Sequence, residues 1–162
     1  MRILGIDPGL ATTGWAVVDF DNGIKAVDFG VISTNSGIAN SFRLQEIYED
    51  LQNIVNVFKP DAASIEILLF TNNVKTAMAV GEARGVCMLV MQQNHLAIHQ
   101  YTPPQIKSAI TGSGRADKRQ VQENVKKLLD LKHLPKPDDA ADAIAAAVCC
   151  YNSLKMDGIL GK

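Results

Sequence analysis

The dipeptide Asn22-Gly23 lies between two apolar runs, and it determines how the fold of this chain must begin. Asn-Gly is a preferred two-residue turn of β-hairpins, because both residues tolerate positive φ. It predicts that residues 15–20 and 24–33 pair as antiparallel strands. A shorter apolar run, residues 2–6, precedes them and stops at the turn signal Asp7-Pro8-Gly9. The chain is therefore predicted to open with a three-stranded antiparallel meander.

Beyond the meander the apolar spacing changes from strand-like to helical. Apolar residues from Leu44 to Phe58 form one stripe of an amphipathic helix, with Arg43 and the neighbouring acids Glu46, Glu49 and Asp50 outside it. Further apolar runs predict strands at residues 62–67 and 96–101 and helices at 73–93, 103–111, from Asp117 onward, and from 138 to about 154. This order predicts an α/β fold with a mixed five-stranded sheet, a three-strand antiparallel meander followed by αβαβ, flanked by helices.

Length and composition predict one domain, placed at residues 1–154, with a short C-terminal tail, residues 155–162. A chain of 162 residues with 47% hydrophobic and 20% charged residues can bury a single core. Its three cysteines lack zinc-ligand spacing, and no signal peptide or membrane span is recognisable, so we expect reduced thiols and a cytoplasmic location. The net charge of −1 gives no general attraction to nucleic acid, so any such partner must be recognised by local clusters.

Four carboxylates occupy positions where they could meet at one site. Asp7 and Glu66 each follow a buried strand, and Asp139 and Asp142 lie one turn apart on the last helix. Asp142 precedes the apolar run 143–148, where an unpaired buried carboxylate costs several kcal/mol, so we expect a compensating cation. Oxygen ligands without His or Cys suit Mg²⁺ or Mn²⁺, and two such ions can clamp a phosphodiester. Each acid alone also fits a turn or helix-capping role.

Basic residues cluster between positions 101 and 127, where six cations face only Asp117 and Glu123. Two of these cations fall in the first turn of a helix that Asp117 is predicted to cap, where the helix dipole disfavours positive charge. An anionic partner such as a phosphate would explain them, and so would simple solvation at the surface. The six are Lys107, Arg115, Lys118, Arg119, Lys126 and Lys127.

Short motifs that are spread from residue 1 to about 151 suggest a family. They are Gly5-Ile6-Asp7-Pro8-Gly9, Ile65-Glu66, Gly81-Glu82-Ala83-Arg84-Gly85, Lys107, Gly112-x-Gly114-x-Ala116-x-Lys118-x-Gln120-Val121 and Asp139-Ala140-Ala141-Asp142-Ala143. In this order and spacing they resemble the RuvC family of bacterial Holliday junction resolvases. The resemblance implies a ribonuclease H-like fold and a homodimer that cuts two strands of a four-way DNA junction symmetrically in recombination and repair.

The resemblance also implies a set of site residues and partners. Two Mg²⁺ ions per site, or Mn²⁺ as a substitute, would be bound by Asp7, Glu66, Asp139 and Asp142, and Lys107 and Lys118 would contact the scissile phosphate. The homodimer would pair through the helix at 73–93, and the RuvA and RuvB branch-migration complex would be a partner. Further DNA contacts are expected from Arg115, Arg119 and Phe70. The family has an aromatic residue where Leu69 stands here and Phe70 follows, so Phe70 is either a junction contact or a core residue.

Several alternatives remain open at this point. Asp138 could pair with Asp142 in place of Asp139; because Asp-Ala-Ala-Asp matches the family, we expect Asp138 to cap the helix and Asp138→Asn to retain more activity than Asp139→Asn. The segment 7–14 resembles the first phosphate loop of sugar kinases and actin-like ATPases, whose two lobes need a longer chain. A ribonuclease H-like nuclease acting on RNA:DNA hybrids would use the same acids, and a DNA-binding module without catalysis would lack a use for them.

Overall fold

The predicted order of strands and helices is confirmed by the computed structural model, which describes residues 1–68 and 74–158. The elements are β1 (Arg2–Asp7), β2 (Thr12–Asp19), β3 (Lys25–Ser33), α1 (Asn40–Phe58), β4 (Ala62–Glu66), α2 (Val74–Gln93), β5 (Ala97–Tyr101), α3 (Pro103–Thr111), α4 (Lys118–Leu128) and α5 (Asp138–Met156). The sheet order is β3-β2-β1-β4-β5. Strands β1, β2 and β3 are antiparallel neighbours, whereas β4 runs parallel to both β1 and β5, so the sheet is mixed as predicted.

Each face of the sheet has its own core. Because side chains alternate along a strand, Ile3 of β1 faces α3, α4 and α5, while Leu4 and Ile6 face α1 and α2. On β4, Ala63 and Ile65 likewise face α1 and α2. The same alternation directs the last residue of each strand, Asp7 and Glu66, toward the α5 face.

Close backbone contacts fix α5 on the sheet. A Cβ atom added at Gly5 would lie 2.0 Å from the carbonyl oxygen of Ala143, and one added at Gly14 would lie 2.1 Å from that of Asp139. The buried hydroxyl of Ser64 donates a hydrogen bond to the carbonyl oxygen of Ala146 at 2.7 Å. Glycine at two strand positions therefore lets the helix backbone touch β1 and β2, which places the first turns of α5 over the end of β1.

Some local predictions need correction or comment. Arg43, expected outside the apolar stripe of α1, is buried there with Ile47, Leu51 and Val55. Asp117 caps α4 through a reciprocal capping box with Gln120, as predicted. The division at residue 154 remains a prediction, and α5 continues past it to Met156. Within the described residues no helix is long and apolar enough to cross a membrane, and the three cysteines are buried free thiols.

Candidate metal and nucleic-acid site

The two strand-end acids are neighbours in the structure. Strands β1 and β4 are parallel with Ile6 beside Ile65, so Asp7 and Glu66 end adjacent strands at the same sheet edge. Asp142 of α5 joins them in a cleft of about 220 Å³. The cleft is lined by Asp7, Glu66, Pro103, Ile106, Lys107, Lys118, Val121 and Asp142. Three of the four predicted acids therefore line one cleft with both predicted lysines, and their roles stay a prediction.

Burial and mutual repulsion make the acids of this cleft hard to ionise. Burial, followed by the charges of Glu66, Asp142 and Asp139, raises the pKa of Asp7 to about 8. Burial and the charge of Asp142 raise the pKa of Glu66 to about 7, and the pKa of Asp142 is raised mainly by burial. The charge of Lys118 opposes all three shifts. The cleft is therefore short of positive charge, which is the condition in which a carboxylate cluster favours a divalent cation.

Asp139 stands apart from the other three acids. It lines a neighbouring cavity with Gly9 and Thr12, although its charge still contributes to the raised pKa values of Asp7 and Asp142. Among the described residues, no three His, Cys, Asp or Glu side chains lie close enough together to hold one ion as they stand. The donor chemistry of carboxylate oxygens nevertheless fits a hard cation such as Mg²⁺, which keeps several water ligands and is commonly bound through one or two carboxylates.

The two predicted active-site lysines reach the cleft from α3 and α4. Lys107 lines it from α3, and Lys118 lines it from the first turn of α4. Lys118 Nζ also lies 2.8 Å from Asp138 Oδ2, a hydrogen bond that raises the pKa of Lys118 and lowers that of Asp138. Asp138 thus supplies an anionic partner within the protein for a cation in the first turn of α4.

The prediction that Asp138 caps α5 is wrong. Pro137 occupies the cap position, and no side chain there bonds to the helix. Asp138 is the first helical residue, so its carboxylate is free to turn outward to Lys118. Its observed interaction is therefore the ion pair with Lys118, 20 positions earlier in the sequence.

The remaining predicted DNA contacts lie beside the cleft or outside the described residues. Arg115 lines a separate surface cavity with Ser113 and Gln120, and Arg119 is paired with Glu123 one turn along α4 at 3.0 Å. Both flank the cleft without lining it. Phe70 and the alternative Leu69 lie outside the described residues, so their role stays a prediction.

Sequence reasoning missed a contact behind Glu66. Arg84 of α2 donates a hydrogen bond from Nε to the backbone oxygen of Glu66 at 3.0 Å, and its Nη2 donates to the side chain of Gln100. A helix on one face of the sheet is thereby tied to the strand end that carries a cleft acid. The motif 81–85 contained this arginine, but its spacing alone gives no sign of the residue it contacts.

Comparisons with known proteins agree on one family. The family model of the crossover junction endodeoxyribonuclease RuvC matches residues 3–150. Curated proteins named Crossover junction endodeoxyribonuclease RuvC are 51% identical in Caldicellulosiruptor saccharolyticus, over 92% of this chain and 91% of that protein, and 51% identical in Finegoldia magna, over 92% of both. A solved structure of Thermus thermophilus RuvC in complex with a Holliday junction substrate is 28% identical with a TM-score of 0.91, covering 97% of this chain and 96% of that one. The predicted ribonuclease H-like fold is confirmed by this likeness.

Proposed function

This chain belongs to the RuvC family of crossover junction endodeoxyribonucleases, and from that membership and the geometry of its cleft we propose that it resolves four-way DNA junctions by hydrolysing phosphodiesters. One observation carries the assignment of the site: three partly buried acids from β1, β4 and α5 share a cleft with two lysines. Acids in a cleft whose pKa values are raised by burial and by neighbouring charges are candidates for a functional site. A similar protein has been solved with a Holliday junction, which supports the choice of substrate.

The proposed cofactor is a pair of divalent ions, Mg²⁺ in the first instance and Mn²⁺ as a substitute. Asp7, Glu66 and Asp142 would hold them from the cleft and Asp139 from its rim, since all four offer hard oxygen donors. When bound, two such ions activate a water molecule and neutralise charge on the leaving oxygen. The acids are costly to keep charged without a cation, so the folded chain favours ion binding.

The lysines are proposed to bind the scissile phosphate. Lys107 reaches the cleft from α3 and Lys118 from α4, so both line the same cleft as the acids and can contact a phosphate bound there. The ion pair of Lys118 with Asp138 is solvent-exposed, and such pairs are worth only about 0.2–1 kcal/mol. Lys118 can therefore exchange Asp138 for a phosphate oxygen at little cost and stabilise the charge that builds up there.

The proposal extends to assembly and location. We propose a homodimer that pairs through α2, because Met78 and Leu89 of this helix are 64% and 51% exposed. A dimer with two sites would make the paired, symmetric cuts. Cooperation with the RuvA and RuvB complex and a cytoplasmic location belong to the same proposal, the latter supported by three free thiols.

A cleavage assay with defined substrates tests the function. A labelled synthetic four-way junction, a linear duplex and an RNA:DNA hybrid are incubated with Mg²⁺ or chelator, using the natural chain and Asp7→Asn. We expect paired, symmetric nicks on the junction alone, only with metal, and lost in Asp7→Asn. Cleavage of the hybrid alone would support the proposed site but contradict the proposed junction substrate. If no substrate is cleaved, the proposal that this chain is a nuclease is wrong.

A further inference from the structure

Arg43 of α1 is a charged residue in an unusual setting. Its relative exposure is 9%, and among the described residues it is the one charged side chain in the buried class, with Thr13 and Ser64 as the buried neutral polar residues. No carboxylate among the described residues forms an ion pair with Arg43. Among the described residues no buried side-chain nitrogen or oxygen lacks a hydrogen-bond partner, so the unpaired nitrogens of Arg43 reach solvent, where an anion that the protein itself does not supply can bind them.

The guanidinium group is held in place from one side. Arg43 Nε donates a hydrogen bond to Thr34 Oγ1 at 2.8 Å, and Thr34 Oγ1 donates in turn to the backbone oxygen of Leu10 at 2.5 Å. This chain of bonds connects α1 to the loop between β1 and β2. It uses only Nε, so the two terminal nitrogens, which form the fork that suits phosphate, have no hydrogen-bond partner among the described residues.

The side chain lines a cavity of about 530 Å³ that adjoins the carboxylate cleft. The cavity wall is formed by the loop 9–12, by Ala79 and Val80 of α2, and by Asp139. Because Asp139 is also a proposed metal ligand, the cavity borders the proposed metal site. Its size falls in the range of about 300–1,000 Å³ that is usual for ligand sites, and a mainly apolar wall with a few polar groups, here including Arg43 and Asp139, is typical of them.

Two carboxylates face this region and affect its charge. Asp139 lines the cavity itself, and Glu82 lines a smaller adjoining one with Arg43, yet neither forms an ion pair with it. A divalent cation held by Asp139 would compensate the charge of this carboxylate from the cleft side. Arg43 then remains as the positive charge of the cavity, which favours an anionic group at this position.

We propose that Arg43 binds a phosphodiester of the cut DNA strand that is next to the scissile phosphate, with its deoxyribose packed on Leu10, Ala79 and Val80. This proposal rests on the proposed junction cleavage, because it needs a DNA strand in the adjoining cleft. The guanidinium fork takes the phosphate, and the apolar wall takes the sugar. The contact carries no base information and sets the register of the strand over the acids.

Two charge-removing variants test the proposal. Arg43→Gln is compared with Lys25→Gln, which removes an exposed positive charge at the opposite end of the sheet. Junction affinity is measured over a series of salt concentrations. The slope of log Kd against log[salt] should fall by about 1 in Arg43→Gln and stay unchanged in Lys25→Gln. Thermal unfolding of each variant checks that it is folded.

A neutral-linkage scan locates the phosphate and does not depend on the stability of the variant. Methylphosphonate linkages are placed one at a time along the cut strand. In the natural chain, one linkage next to the scissile one should weaken binding about tenfold, and in Arg43→Gln the same linkage should have no further effect. If the natural chain cleaves the junction but no linkage beside the scissile one is sensitive, or if the variant shows the same sensitivity, the proposal is wrong and the junction cleavage stands. If the natural chain does not cleave the junction, both are wrong.

Discussion

Helices α5 and α2 lie on opposite faces of one sheet, have nearly the same length, and use their surfaces in opposite ways. Every residue of α5 from 140 to 150 is buried except Asp142, so the helix meets neighbours on all sides. On α2, Ala83 and Cys87 are buried, whereas Met78 and Leu89 are exposed. A helix packed all round holds its carboxylates in fixed positions, whereas a helix with one free apolar side has a surface left for a partner.

The glycines on the two sides of the sheet also differ in how closely their surroundings are packed. Gly5 and Gly14 lie so close to the α5 backbone that no side chain fits, while a Cβ added at Gly85 of α2 would meet no described atom within 4 Å apart from its chain neighbours and the backbone of its own helix. On one side glycine is a packing requirement of the site, and on the other it leaves open space. The comparison predicts that equal changes on the two helices have unequal results.

The largest expected effect comes from removing the acid of α5 that faces the cleft. Asp142→Asn should lower the rate of junction cleavage by about 10³-fold or more, because it removes a proposed ligand without changing the shape of the side chain. Single-turnover cleavage measures this rate, with Asp50→Asn on the exposed side of α1 as the control.

Asp139→Asn should lose more activity than Asp138→Asn, and equal loss would contradict the ligand assignment.

Paired glycine substitutions compare the two helices directly. Gly5→Ala should lower the free energy of unfolding by about 3 kcal/mol, because its Cβ would meet the Ala143 carbonyl oxygen at 2.0 Å and α5 would have to shift. Gly85→Ala should raise it by about 0.5–1 kcal/mol, since alanine costs less conformational entropy within a helix. Urea unfolding at low protein concentration measures both, and similar losses in the two variants would break the comparison.

The exposed side of α2 should control assembly and leave the fold intact. Met78→Glu should weaken the proposed homodimer about 30- to 100-fold, because a charge replaces an apolar side chain at the contact. Sedimentation over a range of concentrations measures the change, with Val57→Glu, at an exposed position of α1, as the matched control. Unchanged assembly in Met78→Glu would place the dimer contact elsewhere.

The cleft acids should destabilise the metal-free chain at neutral pH. Asp7 has a pKa of about 8 in the fold and an ordinary pKa near 4 when unfolded, so the folded chain binds the proton more tightly. Its contribution to stability is therefore lost as pH rises from about 4 toward 8. Asp7→Asn should raise the stability of the metal-free chain at pH 7 by about 0.5–2 kcal/mol, with no gain near pH 4. Thermal unfolding with chelator across this range checks the sign, and a gain that does not grow with pH would contradict it.

The smallest effect concerns the link between α2 and the cleft. Arg84→Gln removes the hydrogen bond to the backbone oxygen of Glu66 and should lower kcat three- to tenfold, roughly, with KM unchanged. Rescue by Arg84→Lys should be partial, because lysine keeps the charge and loses the planar fork. An increase in KM alone would show that Arg84 acts on binding and does not position Glu66.

Most of the fold could be predicted from local signals, because turn dipeptides and apolar periodicity specify each element from its own residues. These local signals left open whether β1 and β4 are neighbours, and it is the strand order of the structure that places Asp7 beside Glu66. The pairing of Lys118 with Asp138 and the burial of Arg43 could not be predicted in this way. Each depends on how distant elements pack, and an arginine within an amphipathic helix has the same local pattern whether it faces water or a cavity.

Diffraction from crystals soaked in Mn²⁺ tests the central claim most directly, because anomalous scattering locates the ion among the carboxylates. The account predicts one anomalous peak for a manganese ion bound by Asp7, Glu66 and Asp142, and a second peak for an ion bound by Asp139. A map with no manganese at Asp7, from a preparation that cleaves the junction with Mn²⁺, would contradict the account.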